Sequence, residues 1–98
     1  MAVVLVDAEN VRRSLWPNMA GDELVESSRR WADRNGHEVR VVWEEPEPAD
    51  DQIARFAREL EPPVWVVTSD RGLRERVKDH ADRIIGGGSF ARELRGST

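Results

Sequence analysis

Cysteine is absent from this 98-residue chain, and histidine is scarce. Without cysteine, the protein has no disulfide scaffold, no zinc ribbon and no catalytic thiol. The two histidines, His37 and His80, lie far apart in the sequence. Because an isolated histidine is more often a surface or half-buried residue than a metal ligand, we assign neither of them a function.

Long hydrophobic runs are also absent. A membrane-spanning helix needs roughly 18 or more consecutive apolar residues, and no stretch approaches that length. The apolar run Ala2–Val6 meets Asp7 too early to be a signal peptide. We therefore expect a cytoplasmic protein without a membrane partner.

The chain is long enough for one compact core and too short for two, which predicts a single domain over residues 1–98.

Basic side chains are in the minority, since 15 Lys and Arg stand against 19 Asp and Glu. The net charge of −4 argues against binding nucleic acid through overall electrostatics alone. The distribution is uneven, because residues 71–98 hold 7 basic and 4 acidic side chains. Nearly all the bases are arginine, which contacts phosphate in a bidentate manner, although a GC-rich genome produces the same bias without a functional cause.

Apolar runs alternate with segments of helical periodicity along the chain. The predicted strands are Ala2–Val6, Glu38–Trp43, Val64–Thr68 and Arg83–Ile85. The predicted helices are a short turn at Val11–Leu15, Asp22–Asn35, a segment from Asp50 that ends before Pro62, Asp70–His80 and a last helix capped by Ser89. This alternation predicts a three-layer α/β fold, with helices flanking a four-stranded, mostly parallel sheet in the order 2-1-3-4.

Asp7 and Asp70 follow the two most apolar strands. In the predicted order the winding direction reverses between the first and third strands, and ligands bind beyond the carboxyl ends there. Two carboxylates side by side need a counter-ion. Asp50 or Asp51 is expected to add a third carboxylate, although an Asp before an apolar helical run is the standard N-cap of a helix. Oxygen ligands favour Mg²⁺ or Mn²⁺ over zinc, and such an ion implies phosphate chemistry.

Three short motifs in this order resemble a known family. They are VVLVDAENV (Val3–Val11), ADDQI (Ala49–Ile53) and VVTSDRGLR (Val66–Arg74), followed by a glycine-rich turn and SFARELR (Ser89–Arg95). Together they resemble the NYN branch of the PIN-like nuclease domains, and within it the YacP-like bacterial group. The resemblance covers nearly the whole chain and implies a trimmed PIN-like fold with metal-dependent ribonuclease activity.

Roles follow from this resemblance by matched position. It implies three catalytic acids, which are Asp7, Asp50 and Asp70. Asp51 is a neighbour that is able to replace Asp50, so that the implied metal ligands are Asp7, Asp50, Asp51 and Asp70. Asn10 would orient the first acid, and the hydroxyl of Ser69 would bind a metal-bound water or the other carboxylate.

Two departures from the family pattern concern the metal site. Many PIN-like domains carry a further acid shortly after the TSD motif, where this chain has RGL. The connection Trp43–Asp50 is also shorter than is usual in YacP-like sequences, so that a strand or hairpin is missing. The missing carboxylate could come from Glu9, Glu44 or Glu45, each of which is equally typical of a solvated loop.

Two arginine pairs flank the expected site. Arg12 and Arg13 follow the first acid, and Arg71 and Arg74 belong to the helix after the last one. Both pairs could clamp an RNA backbone, or they could pair with nearby acids at the surface with little energetic effect. Of the four tryptophans, Trp16 in the loop after the first motif is the candidate for substrate contact, and core packing is expected for the others.

The first hypothesis for function is a Mg²⁺- or Mn²⁺-dependent endoribonuclease, in which water attacks a phosphodiester of single-stranded or structured RNA. The alternative is a non-catalytic RNA-binding or partner-binding module derived from a PIN-like nuclease, which the missing acid and the shortened middle favour. A phosphotransferase or receiver-type domain ranks last, because a second aspartate two residues after Asp7 is absent. The oligomeric state stays open, with a homodimer as one alternative.

Overall fold

The computed structural model describes residues 1–96, so that Ser97 and Thr98 of the predicted domain lie outside the described residues. The elements are β1 (Val3–Asp7), α1 (Ala8–Arg12), α2 (Gly21–Asn35), β2 (Glu38–Val42), α3 (Ala49–Glu59), β3 (Val64–Val67), α4 (Arg71–Val77), β4 (Arg83–Ile85) and α5 (Gly87–Gly96). All strand pairs are parallel, and the order is β2-β1-β3-β4. The predicted fold class and strand order are confirmed.

The side chains of the inner strand β1 pack on both faces of the sheet. Val4 and Val6 belong to one apolar cluster and Leu5 to the other, because successive side chains of a strand point to opposite faces. All three are fully buried, and burying one such side chain contributes about 1.5–3 kcal/mol. Helices α1, α2 and α5 cover the first face, and α3 and α4 cover the second. The sheet therefore forms the middle of three layers.

Two helices begin earlier than the sequence pattern predicts. The first runs over Ala8–Arg12 instead of Val11–Leu15, so that it starts directly after Asp7. The last begins at Gly87, before the predicted cap at Ser89, and its first turn closes with a hydrogen bond from Phe90 N–H to the Gly86 carbonyl. Both shifts bring a helix start to the carboxyl edge of the sheet.

The remaining boundaries agree with the sequence to within one or two residues, except that α4 ends at Val77, three residues before the predicted end at His80. Helix α2 ends at Gly36, whose positive φ of 71° is the left-handed conformation that glycine adopts without strain. Within residues 1–96 no helix has the length and apolar character that crossing a membrane requires.

Candidate functional site

A polar cleft of about 550 Å³ opens at the carboxyl edge of β1 and β3. We call it the carboxyl-edge cleft; its lining residues are Asp7, Glu9, Asn10, Arg13, Ser14, Glu44, Ser69, Asp70 and Gly88. The cleft lies where the chain leaves β1 for one face of the sheet and β3 for the other. This is the switch point at which open α/β sheets bind ligands.

Asp7 is the most buried acid of the cleft, with 7% of its surface exposed. Burial raises the pKa of its carboxyl group, because an apolar surrounding disfavours the charged form. The Thr68 hydroxyl opposes this shift by donating a hydrogen bond, while the negative charges of Glu44 and Asp70 raise the pKa further. A positive charge placed in the cleft would offset both the cost of burying the charged carboxylate and its repulsion by Glu44 and Asp70.

Thr68 connects the two aspartates. Its fully buried hydroxyl donates to Asp7 Oδ2 at 2.9 Å and accepts the backbone N–H of Asp70 at 3.1 Å. This single hydroxyl therefore fixes the carboxylate at the end of one strand relative to the backbone at the end of its neighbour.

Asp70 caps helix α4 while it lines the cleft. Its Oδ1 accepts the backbone N–H of Leu73 at 2.9 Å, as an N-cap side chain does. The cap contact orients the carboxylate, since rotating the side chain would break that hydrogen bond. Asp70 therefore has a structural contact and a position in the cleft at the same time.

Asn10 and Ser69 hold α1, β3 and α5 together. The Asn10 side-chain oxygen accepts the backbone N–H of Ser69 at 2.9 Å, and the Ser69 hydroxyl accepts the backbone N–H of Gly87 at 2.8 Å. A Cβ atom at Gly87 would collide with Asn10 Oδ1 and approach Ser14 Oγ to 3.0 Å. A side chain at position 87 would therefore displace the Asn10 amide from its hydrogen bond with Ser69.

The structure does not bring Asp50 and Asp51 to the cleft. Both lie in the first turn of α3 and are about half exposed, with side-chain exposures of 51% and 49%. Arg76 on α4 pairs with both, at 2.9 Å to Asp51 and 3.7 Å to Asp50. Their position in the first helical turn matches the alternative role of stabilising a helix N-terminus.

Glu44 lines the cleft in their place. It follows β2, and its Oε1 accepts the backbone N–H of Ala49 at 3.2 Å, so that it ties the short connection to the start of α3. Glu9 also lines the cleft and pairs with Arg12 and Arg13. Two of the three glutamates considered as substitutes are thus at the cleft, whereas Glu45 is not among the lining residues.

The four predicted RNA-binding arginines have different surroundings. Arg12 donates to the Met19 carbonyl and to Glu9, and Arg74 donates to the Thr68 carbonyl at 2.9 Å, so that both support the fold. Arg71 is exposed in the first turn of α4. Arg13 lines the cleft and keeps 69% of its side chain exposed although Glu9 lies 3.1 Å away. Arg13 is thus the member best placed to meet a phosphate.

The donor set of the cleft fits a hydrated magnesium ion better than a closed metal cage. Among residues 1–96, no group of three or more Asp, Glu, His or Cys side chains is close enough to enclose a cation. Mg²⁺ commonly retains several waters and binds through one or two carboxylates, and Asp7, Asp70 and Glu44 provide such oxygens. These residues could therefore hold an ion that keeps much of its hydration shell.

Sequence reasoning missed the bridging role of Thr68 and chose Ser69 alone as the supporting hydroxyl. The register contains a signal that would have found it. Val6 of β1 pairs with Val67 of β3, so the next residue of each strand, Asp7 and Thr68, are neighbours. Gly87 was also missed, because its role depends on contacts with α1 that have no local signature.

Comparison with known proteins identifies a similar solved structure. No family model matches the sequence, and no curated protein matches it either. The fold is similar to the crystal structure of Rae1 (YacP) from Bacillus subtilis, a tryptophan-to-leucine variant, with a TM-score of 0.81. The sequences are 22% identical, and the match covers 98% of this chain and 76% of that chain. This chain therefore shares its fold with a structure from the YacP group, which is the group that its motifs resemble.

Proposed function

We propose that this protein is a Mg²⁺- or Mn²⁺-dependent endoribonuclease that hydrolyses RNA phosphodiesters in the carboxyl-edge cleft. One observation carries the proposal: Asp7 and Asp70, from neighbouring strands, line one polar cleft together with Glu44. The YacP-like fold and the motif resemblance support the same reaction class, since acids gathered at this edge are what the resemblance implies.

The cation would be held by the carboxylates of Asp7 and Asp70, and Glu44 would face its retained waters from the wall of the cleft. When bound, it supplies shielding of the phosphodiester charge and lowers the pKa of a coordinated water. The raised pKa of Asp7 supports this assignment, because burial beside two other acids leaves a negative site that a divalent ion would neutralise. The proposal therefore assigns Glu44, rather than Asp50 or Asp51, to the metal site.

The side chains of the cleft would share the remaining work of the reaction. Asp7 and Asp70 would orient the attacking water, while Thr68 and Asn10 keep the two strand ends in register through the contacts described above. Arg13 would contact a phosphate oxygen and place the scissile bond. Hydrolysis forms a bond from water oxygen to phosphorus, breaks the bond to the leaving oxygen, and transfers a proton to that leaving oxygen.

The test is cleavage of a labelled RNA that contains a hairpin and an unpaired tail, with Mg²⁺, Mn²⁺ or EDTA. We expect cleavage with the metals, and a loss of about 100-fold or more in Asp7→Asn and Asp70→Asn, because each change removes a charge aimed at the reacting group. Asparagine is also a good N-cap, so Asp70→Asn should keep α4 folded. Asp50→Asn is the matched control, as it neutralises an exposed acid outside the cleft.

Two results would refute the enzyme assignment. One is a wild-type protein that fails to cleave RNA with Mn²⁺, and the other is an Asp7→Asn variant that cleaves as fast as the wild type. Metal binding is checked separately by the melting temperature, which should rise with Mn²⁺ in the wild type and not in Asp7→Asn.

The second candidate is a non-catalytic RNA-binding or partner-binding module. The observation in its favour is that residues 1–96 contain no closely grouped set of three or more metal-ligating side chains. Under this alternative RNA still binds, while Mn²⁺ neither raises the melting temperature nor produces cleavage.

A further inference from the structure

The loop between α1 and α2 presents a tryptophan to solvent. We call residues 13–18 the Trp16 loop, and Trp16 at its tip is 88% exposed. The other tryptophans are packed: Trp31 is buried, and Trp43 and Trp65 pack against the same apolar cluster. The Trp16 ring therefore gains none of the hydrophobic stabilisation that burial gives the other three tryptophans.

Several contacts close the loop and hold it in place. Arg12 Nε donates to the Met19 carbonyl at 2.9 Å, and Met19 N–H donates to the Arg12 carbonyl at 3.0 Å. Met19 itself is buried, and Leu15 packs on the core. On the other side, Arg95 of α5 donates to the Pro17 carbonyl at 2.6 Å. The backbone on both sides of Trp16 is therefore fixed while its ring remains exposed.

The Trp16 loop begins at the carboxyl-edge cleft. Arg13 and Ser14 line that cleft, and Trp16 follows Ser14 by two residues, so that their Cα atoms are at most about 7 Å apart. Arg13 lines the cleft, and Arg95 contacts the loop at the Pro17 carbonyl, next to Trp16. An exposed aromatic ring in a loop that carries one arginine and is contacted by another matches single-stranded nucleic acid, which is bound by stacking of bases and by cations along the phosphates.

The surroundings of Trp16 favour a base over an apolar protein surface. Within the part of the chain that the structure describes, Met1 is the one other large apolar side chain that is exposed, and it precedes β1 at the opposite end of the sheet. Protein interfaces centre on contiguous apolar patches, which a lone ring does not provide. A nucleobase needs one π-face, which the ring does provide.

We propose that Trp16 stacks on an unpaired base of RNA whose backbone passes Arg13 into the carboxyl-edge cleft. The inference rests on the proposed function for its substrate class, and it adds that the strand is unpaired beside the cleavage position. Bases within a duplex are already stacked on one another and offer no free face to the ring. Trp16 would therefore select single-stranded segments.

The experiment measures binding without divalent cations, so that no cleavage occurs. A labelled uridine dodecamer, which does not pair with itself, and an RNA duplex of equal length are titrated by fluorescence anisotropy. We expect Trp16→Ala to weaken binding of the uridine dodecamer by about 5- to 100-fold, as loss of one base stack does. Trp16→Phe retains a ring and should bind within about 3-fold of the wild type, and duplex binding should be the same for all three proteins.

The controls separate this inference from the nuclease assignment. The melting temperature of Trp16→Ala should equal that of the wild type, because the ring is exposed. Equal binding of the dodecamer by the wild type and Trp16→Ala would overturn the stacking role. It would not bear on the proposed nuclease activity, which is measured separately. Self-association that is lost in Trp16→Ala would also overturn it, since a second copy would then cover the ring. RNA binding that depends on Trp16 in a protein without cleavage would support stacking and contradict the nuclease.

Discussion

The two ends of the same parallel sheet have opposite character. At the carboxyl edge, Asp7, Thr68 and Asp70 form a chain of polar contacts around an open cleft. At the amino edge, the His37 ring lies 4.5 Å from Trp65 and 5.6 Å from Trp31, and its Nδ1 accepts the backbone N–H of Ala2. We call Trp31, His37 and Trp65 the aromatic cluster.

This difference separates a packed end of the sheet, which stabilises the fold, from an open polar end. The aromatic cluster buries large rings and adds the Arg83 guanidinium at 4.8 Å from the Trp65 ring centre, which stabilises the start of the strands. The carboxyl edge keeps a buried acid whose pKa is raised, and a buried charge of this kind lowers stability. Substitutions at the two ends should therefore have opposite consequences for folding and for activity.

The largest effect on stability is expected from Trp31→Ala in the aromatic cluster. The Trp31 ring is 4% exposed, packs edge-on against Phe90 at 5.0 Å, and donates from Nε1 to Glu93. Its removal leaves a cavity and should lower the free energy of unfolding by about 3–5 kcal/mol, measured by urea denaturation.

Trp16→Ala is the matched control for that measurement, because it deletes the same ring from an exposed position. Its free energy of unfolding should change by less than about 0.5 kcal/mol. Similar losses of unfolding free energy in the two variants would contradict the distinction between the packed Trp31 ring and the exposed Trp16 ring.

At the carboxyl edge, Thr68→Val should lower RNA cleavage by about 10- to 100-fold, the usual effect of losing a side chain that orients a ligand. Valine keeps the shape of threonine but leaves Asp7 Oδ2 without its donor. Because the Thr68 hydroxyl lowers the pKa of Asp7, the variant should also need a higher pH for half-maximal cleavage. Thr68→Ser keeps the hydroxyl and should restore both rate and pH profile; equal defects in the two variants would contradict the bridging role.

Without divalent cations, Asp7 should make stability depend on pH. Its pKa is raised in the folded state above the ordinary value of 3.8, so the folded protein binds the proton more tightly than the unfolded chain. The stability that the protonated carboxyl group contributes is fully present below pH 3.8. It is lost as the pH rises through the pKa of Asp7 in the folded protein.

The comparison that checks this dependence is Asp7→Asn, melted with the wild type in EDTA over a range of pH. The variant should be more stable at pH 7, and its advantage should shrink as the pH falls toward 4. A wild type that is the more stable of the two at neutral pH would mean that Asp7 is stabilised by its contacts rather than strained by burial.

A small effect is expected from Arg76→Ala on α4. Its ion pairs with Asp50 and Asp51 are about half exposed, and such pairs contribute about 0–1 kcal/mol. We expect a similarly small change in unfolding free energy, with the rate of RNA cleavage unchanged. A clear loss of cleavage would place this end of α3 in the functional site after all.

Sequence patterns predicted most of the fold and two of the acids that line the carboxyl-edge cleft, and the reasons differ by residue. Asp7 and Asp70 could be placed together because apolar runs identify buried strands, and parallel strands present their carboxyl ends at one edge. The sequence favoured Asp50 and Asp51 over Glu44 as the third acid, whereas which of them reaches the cleft depends on how the proline-rich connection after β2 turns. In the structure this turn brings Glu44 to the cleft and directs the aspartates toward Arg76.

By itself the sequence determined the alternation of strands and helices, the strand order and the edge at which the aspartates end, because periodicity and chain connectivity are local or topological properties. The tertiary structure alone decided that Thr68 bridges the two aspartates, that Gly87 lies against the Asn10 side chain, and that one tryptophan of four remains in solvent. These outcomes depend on contacts between residues far apart in the chain, whose distances follow only from how the layers pack.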